Sequence, residues 1–205
     1  LYTSLIVWVV GLAVPVTASY IMCAVIAAPA LIKLGVPDYA AHMFIFYYAV
    51  LSEVSPPTAL APFAAATLTR ADPYVTTLQS WKYALPAFLV PFIFVLDPIG
   101  IGLLLEVPKG LSWPWILWAT LGAAAGIAAL AFATQGHMRR PLAPWERAVC
   151  FVAGVACTFP EIVDDFVGGT FVARLIGMAL LAMVVAAQFA RPKALPPAKA
   201  SGELG

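Results

Sequence analysis

Hydroxyl side chains lie at two interruptions of an otherwise apolar sequence. Thr17 and Ser19 follow a turn that contains glycine and proline, and Ser55 and Thr58 flank two adjacent prolines. Oxygen atoms are the ligands that a hard monovalent cation requires, and unwound backbone adds carbonyls that no helix has consumed. A single Ser or Thr in a membrane helix more often bonds the carbonyl four residues earlier. Because they cluster at both interruptions, these four residues are candidates for an ion site.

Glu53 carries the charge nearest to the second interruption, close to the middle of the apolar stretch 39–68. A charge at that depth costs about 2.5 kcal/mol or more on insertion scales, so this carboxyl should be paired, protonated or facing a water-filled cavity. We favour the interpretation that Glu53 tunes the ion site, as a ligand or as a proton-coupled group. The alternative is a protonated carboxyl that bonds the carbonyls freed at the break.

The other reactive residue types form no pattern of a catalytic or metal site. The three cysteines lie in apolar stretches without a CxxC pair, so we interpret them as buried small hydrophobic residues. His42 and His137 lack the spacing of zinc ligands. An intramembrane enzyme needs a nucleophile with a base, and Glu53 and His42 are the candidates that lie deep enough. The sequence therefore does not favour an enzyme.

The composition places the chain in a lipid bilayer. Hydrophobic residues make up 63% of the 205 residues, charged residues make up 10%, and the mean hydropathy is +0.95. A water-soluble domain has about 45–50% apolar residues, because its outside must face water. A net charge of +1 argues against nucleic-acid binding. Because Leu1 opens the chain inside an apolar run, we expect the carboxy-terminal part of a larger all-α membrane protein.

Two apolar elements are interrupted. Residues 1–34 contain two arms around a turn that starts at Gly11, which predicts a re-entrant hairpin. Residues 38–69 predict one crossing made of two half-helices, because Pro56 and Pro57 remove two amide donors and stop the preceding helix. Non-helical backbone at membrane depth survives only when it is buried in protein or lines a cavity. Paired broken elements indicate a binding site near the midplane of a transporter, and a proline kink without a ligand is the alternative.

We expect three parts along the chain. A transport core takes residues 1–99, and a helix over 76–97 completes it. A carboxy-terminal transmembrane extension takes residues 100–191. A tail of residues 192–205, rich in proline, is expected to be disordered.

The extension contains segments of different length. Trp113–Phe132 and Phe171–Ala190 are long enough to span, and the first holds a GAAAG stretch suited to close helix packing. Pro144–Phe159 is short, so it is either a thin span or an interfacial segment. Arg174 lies inside the last apolar segment, and we expect it to snorkel or to pair with Asp164–Asp165.

The charges predict the topology. Arg70 and Lys82 bracket one loop, and arginines mark a second loop at Arg139–Arg147. The segments Asp97–Lys109 and Glu161–Asp165 between them are acidic or nearly neutral. Because positively charged loops stay in the cytoplasm, the two arginine-containing loops should be inside and the other two outside.

The stretch from residue 11 to residue 98 resembles a known family of membrane proteins. The matching pieces are GLAVPVTASYIMCAVIAAPAL, LGVPDYAAHMFIFYYAVLSEVSPPTALAPFAAATLTRADP and ALPAFLVPFIFVLDP, and the Ser-Pro-Pro segment is the most specific. They resemble the carboxy-terminal end of the large membrane subunit of TRAP transporters. The likeness is greatest to the fused permeases that work with TAXI-type binding proteins. Glu53 and Thr58 depart from the family pattern, which has small or apolar residues there.

The resemblance implies an elevator-type transporter of the bacterial inner membrane, built from an inverted repeat. It implies that sodium binds where Gly11–Tyr20, the tip of the second hairpin, meets the break at Ser55–Thr58. It also implies import of a small organic acid or amino acid anion that a periplasmic TAXI-type binding protein delivers. The other partners would be the lipid bilayer and the rest of the permease, with its first repeat and small-subunit-like helices. We assign the ion and substrate site to Gly11, Thr17, Ser19, Glu53, Ser55, Pro56, Pro57 and Thr58, with Thr17, Ser55 and Thr58 as sodium ligands.

Two other functions stay open from the sequence. A divalent-anion sodium symporter of another elevator family also has hairpins and broken helices, but its tip carries a Ser-Asn-Thr type sequence that Val16–Ser19 fits less well. A structural membrane subunit that transports nothing would need no broken elements.

Overall fold

The computed structural model describes residues 1–57, 59–97, 99–104 and 112–190, apart from the side chain of Asp165. Within these ranges the chain is helical and has no strand. The α-helices are α1 Tyr2–Gly11, α2 Val16–Lys33, α3 Asp38–Ser52, α4 Leu60–Thr69, α5 Pro73–Ala84, α6 Val90–Leu96, α7 Trp113–Gln135, α8 Pro144–Thr158, α9 Pro160–Val167 and α10 Thr170–Ala190, with 3₁₀ segments at Leu85–Leu89 and Gly100–Leu104.

Four helical segments of the described chain are long and apolar enough to cross a membrane. They are Val16–Lys33, Pro73–Leu96, Trp113–Gln135 and Thr170–Ala190. Many large apolar side chains on these helices are exposed, as expected when the surrounding solvent is lipid. The protein is an all-α membrane protein, as the composition predicts. The three-part division of the chain stays a prediction, and its tail, residues 192–205, lies outside the described residues.

The first two helices form a hairpin against α3. Residues 12–15 join α1 to α2, and Pro15 directly precedes α2, where its fixed φ suits the start of a helix. The buried face of the hairpin, with Val7 and Ala27, shares one hydrophobic core with Phe44, Ile45 and Tyr48 of α3. Both arms therefore pack on the helix that leads into the predicted break.

The predicted crossing at 38–69 is interrupted. Helix α3 ends at Ser52 and α4 begins at Leu60, and between them the Pro56–Pro57 peptide bond is cis. Each half-helix is too short to span a bilayer as a simple helix. The residues between the two ends are the non-helical backbone that the sequence predicts.

The next crossing follows a tight turn. Arg70 takes a left-handed conformation (φ 56°) and ends α4. Asp72 caps α5, because its side-chain oxygen accepts a hydrogen bond of 2.9 Å from the amide of Val75. Pro86 and Pro91 lack the amide hydrogen that a continuous α-helix needs. The chain therefore passes through a 3₁₀ segment before α6.

Helices α7, α8 and α10 pack closely because a glycine on each helix lies against atoms of a neighbouring helix. A Cβ on Gly126 would lie 3.0 Å from the Cβ of Cys157, and one on Gly154 would lie 2.8 Å from a methyl carbon of Leu130. A Cβ on Gly177 would lie 2.9 Å from the carbonyl oxygen of Ala153. The packing role predicted for the GAAAG stretch agrees with these contacts.

The short helix α8 begins at a buried polar cluster. The carboxylate of Glu146 accepts hydrogen bonds from the guanidinium of Arg140 (2.7 Å), the amide of Ala143 (2.8 Å) and the side chain of Gln188 (3.0 Å). The fifteen residues of α8 are roughly 22 Å long. Whether Pro144–Phe159 crosses the membrane stays a prediction.

The ends of the helices show which loops share a side. Phe171, at the start of α10, stacks on Trp118 near the start of α7, with ring centroids 4.8 Å apart. Gln188, near the end of α10, bonds Glu146 at the start of α8. Gln135 and Gly168 therefore lie at opposite ends of this helix group, which agrees with the topology that the charges predict.

Single cysteines at Gln135 and Gly168, each in a cysteine-free background, should react with a membrane-impermeant maleimide from opposite sides of the membrane. We expect Gly168→Cys to react in intact spheroplasts and Gln135→Cys only after permeabilisation. Labelling of both from the same side would show that Pro144–Phe159 does not span. A denatured sample provides the control for the presence of each thiol.

Candidate functional site

The hairpin turn and the broken helix meet at Gly11. A Cβ on this glycine would lie 2.7 Å from the Cβ of Ser52 and 3.3 Å from the hydroxyl oxygen of Ser19. No side chain larger than hydrogen therefore fits between the end of α1 and the last turn of α3. Glycine at this position lets the two backbones approach, and two serine side chains face the gap.

Ser19 has a buried hydroxyl with no hydrogen-bond partner among the described residues. The residue is fully buried on the first turn of α2, which also faces Gly11. The hydroxyl of Ser19 interacts with the thiol of Cys23 one turn later, but this interaction is weak because sulfur is a poor hydrogen-bonding group. Leaving a buried hydroxyl unpaired costs about 1–3 kcal/mol. An oxygen in this position is what a bound cation would use as a ligand.

Ser52 and Ser55 flank the end of α3. Both side chains are fully buried, and each hydroxyl donates its hydrogen to the preceding helical turn, Ser52 to the carbonyl of Ala49 (2.7 Å) and Ser55 to that of Leu51 (2.9 Å). This is the ordinary behaviour of serine in a membrane helix. Because the hydrogens are used in this way, the lone pairs of both hydroxyls point away from the helix backbone.

Trp8 connects the first arm of the hairpin to the break. Its indole N–H donates a hydrogen bond of 3.0 Å to the hydroxyl oxygen of Ser55. The same ring lies parallel to Trp81 of α5, with centroids 6.5 Å apart, and edge-on to Phe88 at 6.2 Å. The indole therefore orients the Ser55 hydroxyl and holds the hairpin against the following crossing.

A cavity of about 260 Å³ opens at Gly11, beside the serine cluster of Ser19, Ser52 and Ser55. It is lined by the whole hairpin turn, Gly11–Pro15, together with Glu53 and Leu60. Glu53 ends α3 and is partly exposed, and Leu60 is the first residue of α4. The cavity thus lies between the turn of one broken element and both ends of the other.

The structure brings Gly11, Ser19, Glu53 and Ser55 together around the hairpin turn. Thr17, in contrast, is exposed, and Thr58 lies outside the described residues. Of the two prolines at the break, Pro56 is half-buried and Pro57 is exposed. The assignment of all these residues to an ion and substrate site stays a prediction.

Sequence reasoning did not include Ser52 and Trp8. Ser52 lies three residues before Ser55, so both fall on one face of a helix, and this spacing could have indicated a pair. Trp8 gave no such signal, because its bond to Ser55 joins residues 47 positions apart.

Replacing Gly11 by alanine should separate the hairpin from α3, because the added methyl group meets the side chain of Ser52. Overpacking of this kind costs about 1–3 kcal/mol. We expect the apparent melting temperature of the purified permease to fall by roughly 5 °C. The double variant Gly11→Ala/Ser52→Gly should recover most of the loss, and Ala30→Val on the exposed face of α2 is the control. An unchanged melting temperature for Gly11→Ala would contradict this close approach.

The described residues contain no group of three or more His, Cys, Asp or Glu side chains that could hold a metal ion. No curated protein and no solved structure matches the chain. The family model described as "Tripartite ATP-independent periplasmic transporter, DctM component" matches residues 1–99. This family and the membrane-length helices indicate a multi-pass transporter of the bacterial inner membrane rather than an enzyme. Residues 1–99 of the chain are therefore similar to the large membrane component of the TRAP transporters.

Proposed function

We propose that the chain forms half of the transport core of a sodium-coupled importer for a small organic acid or amino acid anion. The unpaired, fully buried hydroxyl of Ser19 at the hairpin turn is the observation that supports this most directly. TRAP transporters are tripartite, so a periplasmic binding protein and other membrane components are partners. We propose that this binding protein is of the TAXI type.

The oxygens around the hairpin turn suit sodium. The hydroxyl of Ser19 lacks a partner. The hydroxyls of Ser52 and Ser55 donate their hydrogens to carbonyls, which leaves lone pairs for a cation, although one lone pair of Ser55 accepts from Trp8. The interrupted backbone between Ser52 and Leu60 adds carbonyls that no helix has consumed. Sodium is a hard monovalent ion, and neutral oxygens of this kind can replace its water shell without burying a second charge.

We propose that the substrate anion binds in the adjoining cavity. Its volume of about 260 Å³ suits a small molecule. The start of α4 at Leu60 borders the cavity, and the first amides of a helix carry unpaired N–H groups and a partial positive charge. A carboxylate would be stabilised there. Sodium at the serine cluster would add a nearby positive charge, which couples the binding of the two solutes.

The interrupted elements also support an elevator mechanism. The hairpin and α3, the first half of the broken helix, share one hydrophobic core with α6, so they can move as one body. Many apolar side chains on the outer faces of α1 and α2 are exposed, including Leu5, Ile6 and Val25. We propose that such faces slide along lipid or along the rest of the permease while the site itself stays intact.

In proteoliposomes that contain the complete permease and its binding protein, uptake should require an inward sodium gradient. Choline in place of sodium should abolish it. Ser19→Ala should raise the half-saturating sodium concentration roughly tenfold, which corresponds to ~1.4 kcal/mol. Without sodium the same variant should be at least as stable as the parent, because it removes an unpaired buried hydroxyl.

Thr67→Ala is the matched control, because its exposed hydroxyl bonds the carbonyl of Phe63 away from the site. Thr17→Ala tests the ligand role that the sequence assigned to Thr17 separately. Uptake that continues unchanged in choline would rule out sodium coupling. A normal sodium dependence in Ser19→Ala would exclude Ser19 as a ligand.

Glu53 lies on the wall of the cavity, so its charge should influence the coupling ion or the substrate. We expect Glu53→Gln, which keeps the shape and the hydrogen-bonding capacity, to shift the dependence of uptake on sodium or pH. Uptake by Glu53→Gln and by Glu53→Ala is compared over a range of pH values. This comparison separates the effect of the lost charge from the effect of the lost side-chain shape. If Gln behaves like the parent at every pH and only Ala fails, Glu53 is a structural residue.

A further inference from the structure

Arg174 is a buried cation that the proposed transport site does not use. It lies on α10, a helix of otherwise mostly apolar residues, and its side chain is 2% exposed. Its guanidinium forms an ion pair with the carboxylate of Asp97, 77 positions earlier, whose side chain is 7% exposed. The sequence predicted that Arg174 would snorkel or pair with Asp164–Asp165, and the structure corrects this to an ion pair with Asp97, directly after α6. The fold brings Asp97, which is distant in sequence, into contact with Arg174.

This ion pair is buried between the helices. Arg174 passes directly over Gly122, where an added Cβ would lie 3.1 Å from its Cδ. Gly122 is nine residues, or roughly 14 Å of helix, from Trp113 at the start of α7. Burial removes both charges from water, so each partner depends on the other.

The pair joins the two parts of the chain that were predicted from the sequence. Asp97 follows α6, and its other carboxylate oxygen accepts a hydrogen bond of 2.8 Å from the amide of Ile99. The 3₁₀ segment that follows packs on α7, where a Cβ on Gly102 would lie 2.9 Å from Ile116. Asp97 is thus held from both sides, by its own chain and by Arg174.

A second contact joins the same parts at the opposite end of α7. The side-chain amide of Gln135, the last residue of α7, donates a hydrogen bond of 3.4 Å to the carbonyl of Lys82 on α5. Helix α7 therefore contacts Lys82 of the crossing near its end and the 3₁₀ segment after Asp97 near its start. Relative sliding of the two parts would break the ion pair and the Gln135–Lys82 bond, and it would leave two buried opposite charges unpaired.

We propose that Asp97 and Arg174 are positioning residues that make α7–α10 move together with residues 1–97 as one body during transport. This inference rests on the proposed elevator function. In this arrangement the extension belongs to the moving domain, and the interface along which that domain slides lies elsewhere in the permease. The movement then carries four more helices, which must face lipid or the static part of the permease.

A crosslink across the boundary tests this directly. Cysteines replace Lys82 and Gln135 in the complete permease without other cysteines, and a short bis-methanethiosulfonate reagent joins them. Uptake by the joined protein should stay within twofold of that after cleavage by dithiothreitol. The yield of the crosslink should be the same with and without sodium and substrate. Loss of uptake that dithiothreitol restores, or a yield that changes with sodium, would overturn the inference.

Substitutions of the pair provide an independent arm. Arg174→Gln or Asp97→Asn alone leaves one buried charge unpaired and should lower uptake at least tenfold, whereas the double variant Asp97→Asn/Arg174→Gln should recover most of it. Arg139→Gln is the matched control, because Arg139 is exposed and lies over the ring of Phe189. Equal loss in the single and double variants would contradict coupling through the pair. If a single variant fails to fold, the crosslinking experiment still tests whether the two parts move together.

The two proposals fail differently. Absence of sodium-dependent uptake in the uncrosslinked parent counts against the proposed function and leaves the crosslink yield as a measure of joint movement. Normal uptake in the parent with loss on crosslinking counts against the joint movement alone.

Discussion

Hydrocarbon offers no hydrogen-bond partner to a peptide group, and this constraint governs the region between Ser52 and Leu60. A helix can be interrupted inside a membrane only where other protein covers the free backbone groups or where they line a cavity. In this structure the hairpin packs against the end of α3, where Gly11 meets the side chain of Ser52. The hairpin, the break and the cavity therefore form one unit, and the loss of one would leave the others unsatisfied.

The same constraint explains how polar side chains are arranged elsewhere in the bundle. Arg174 is paired with Asp97, and Glu146 is surrounded by donors from Arg140, Ala143 and Gln188. The hydroxyl of Ser19 is one of several buried polar atoms of the described residues without a hydrogen-bond partner, as are those of Thr77 and Thr158. What distinguishes Ser19 is its place beside Gly11, at the junction of the two broken elements, where a cation ligand is expected.

Small residues make both arrangements possible. Gly11 lets α1 reach the serines of α3, and Gly122 makes room for the long side chain of Arg174. Gly126, Gly154 and Gly177 let α7, α8 and α10 approach each other. Lipid tails are as apolar as leucine, so close packing rather than hydrophobic exclusion has to hold membrane helices together. In this chain the glycines also determine where polar groups can meet.

The sequence by itself determined the solvent, the helical class and the positions of the interruptions. Composition requires a bilayer, prolines at 56 and 57 stop a helix whatever surrounds them, and both signals are local. The resemblance to TRAP permeases was also available from the sequence, and the family match over residues 1–99 confirms it. The proposal that Gly11, Ser19, Glu53 and Ser55 share a site came from the same local signals.

Only the tertiary structure decided which side chains meet. Ser52, Trp8 and the ion pair of Arg174 with Asp97 depend on contacts between residues far apart in sequence. From the sequence, Arg174 was expected to snorkel or to pair with Asp164–Asp165, which are near along the chain. In a helix bundle, however, the partner of a buried charge is decided by which helices lie side by side. The exposure of Thr17 has the same origin, because residues two positions apart on a helix point in different directions and only Ser19 faces Gly11.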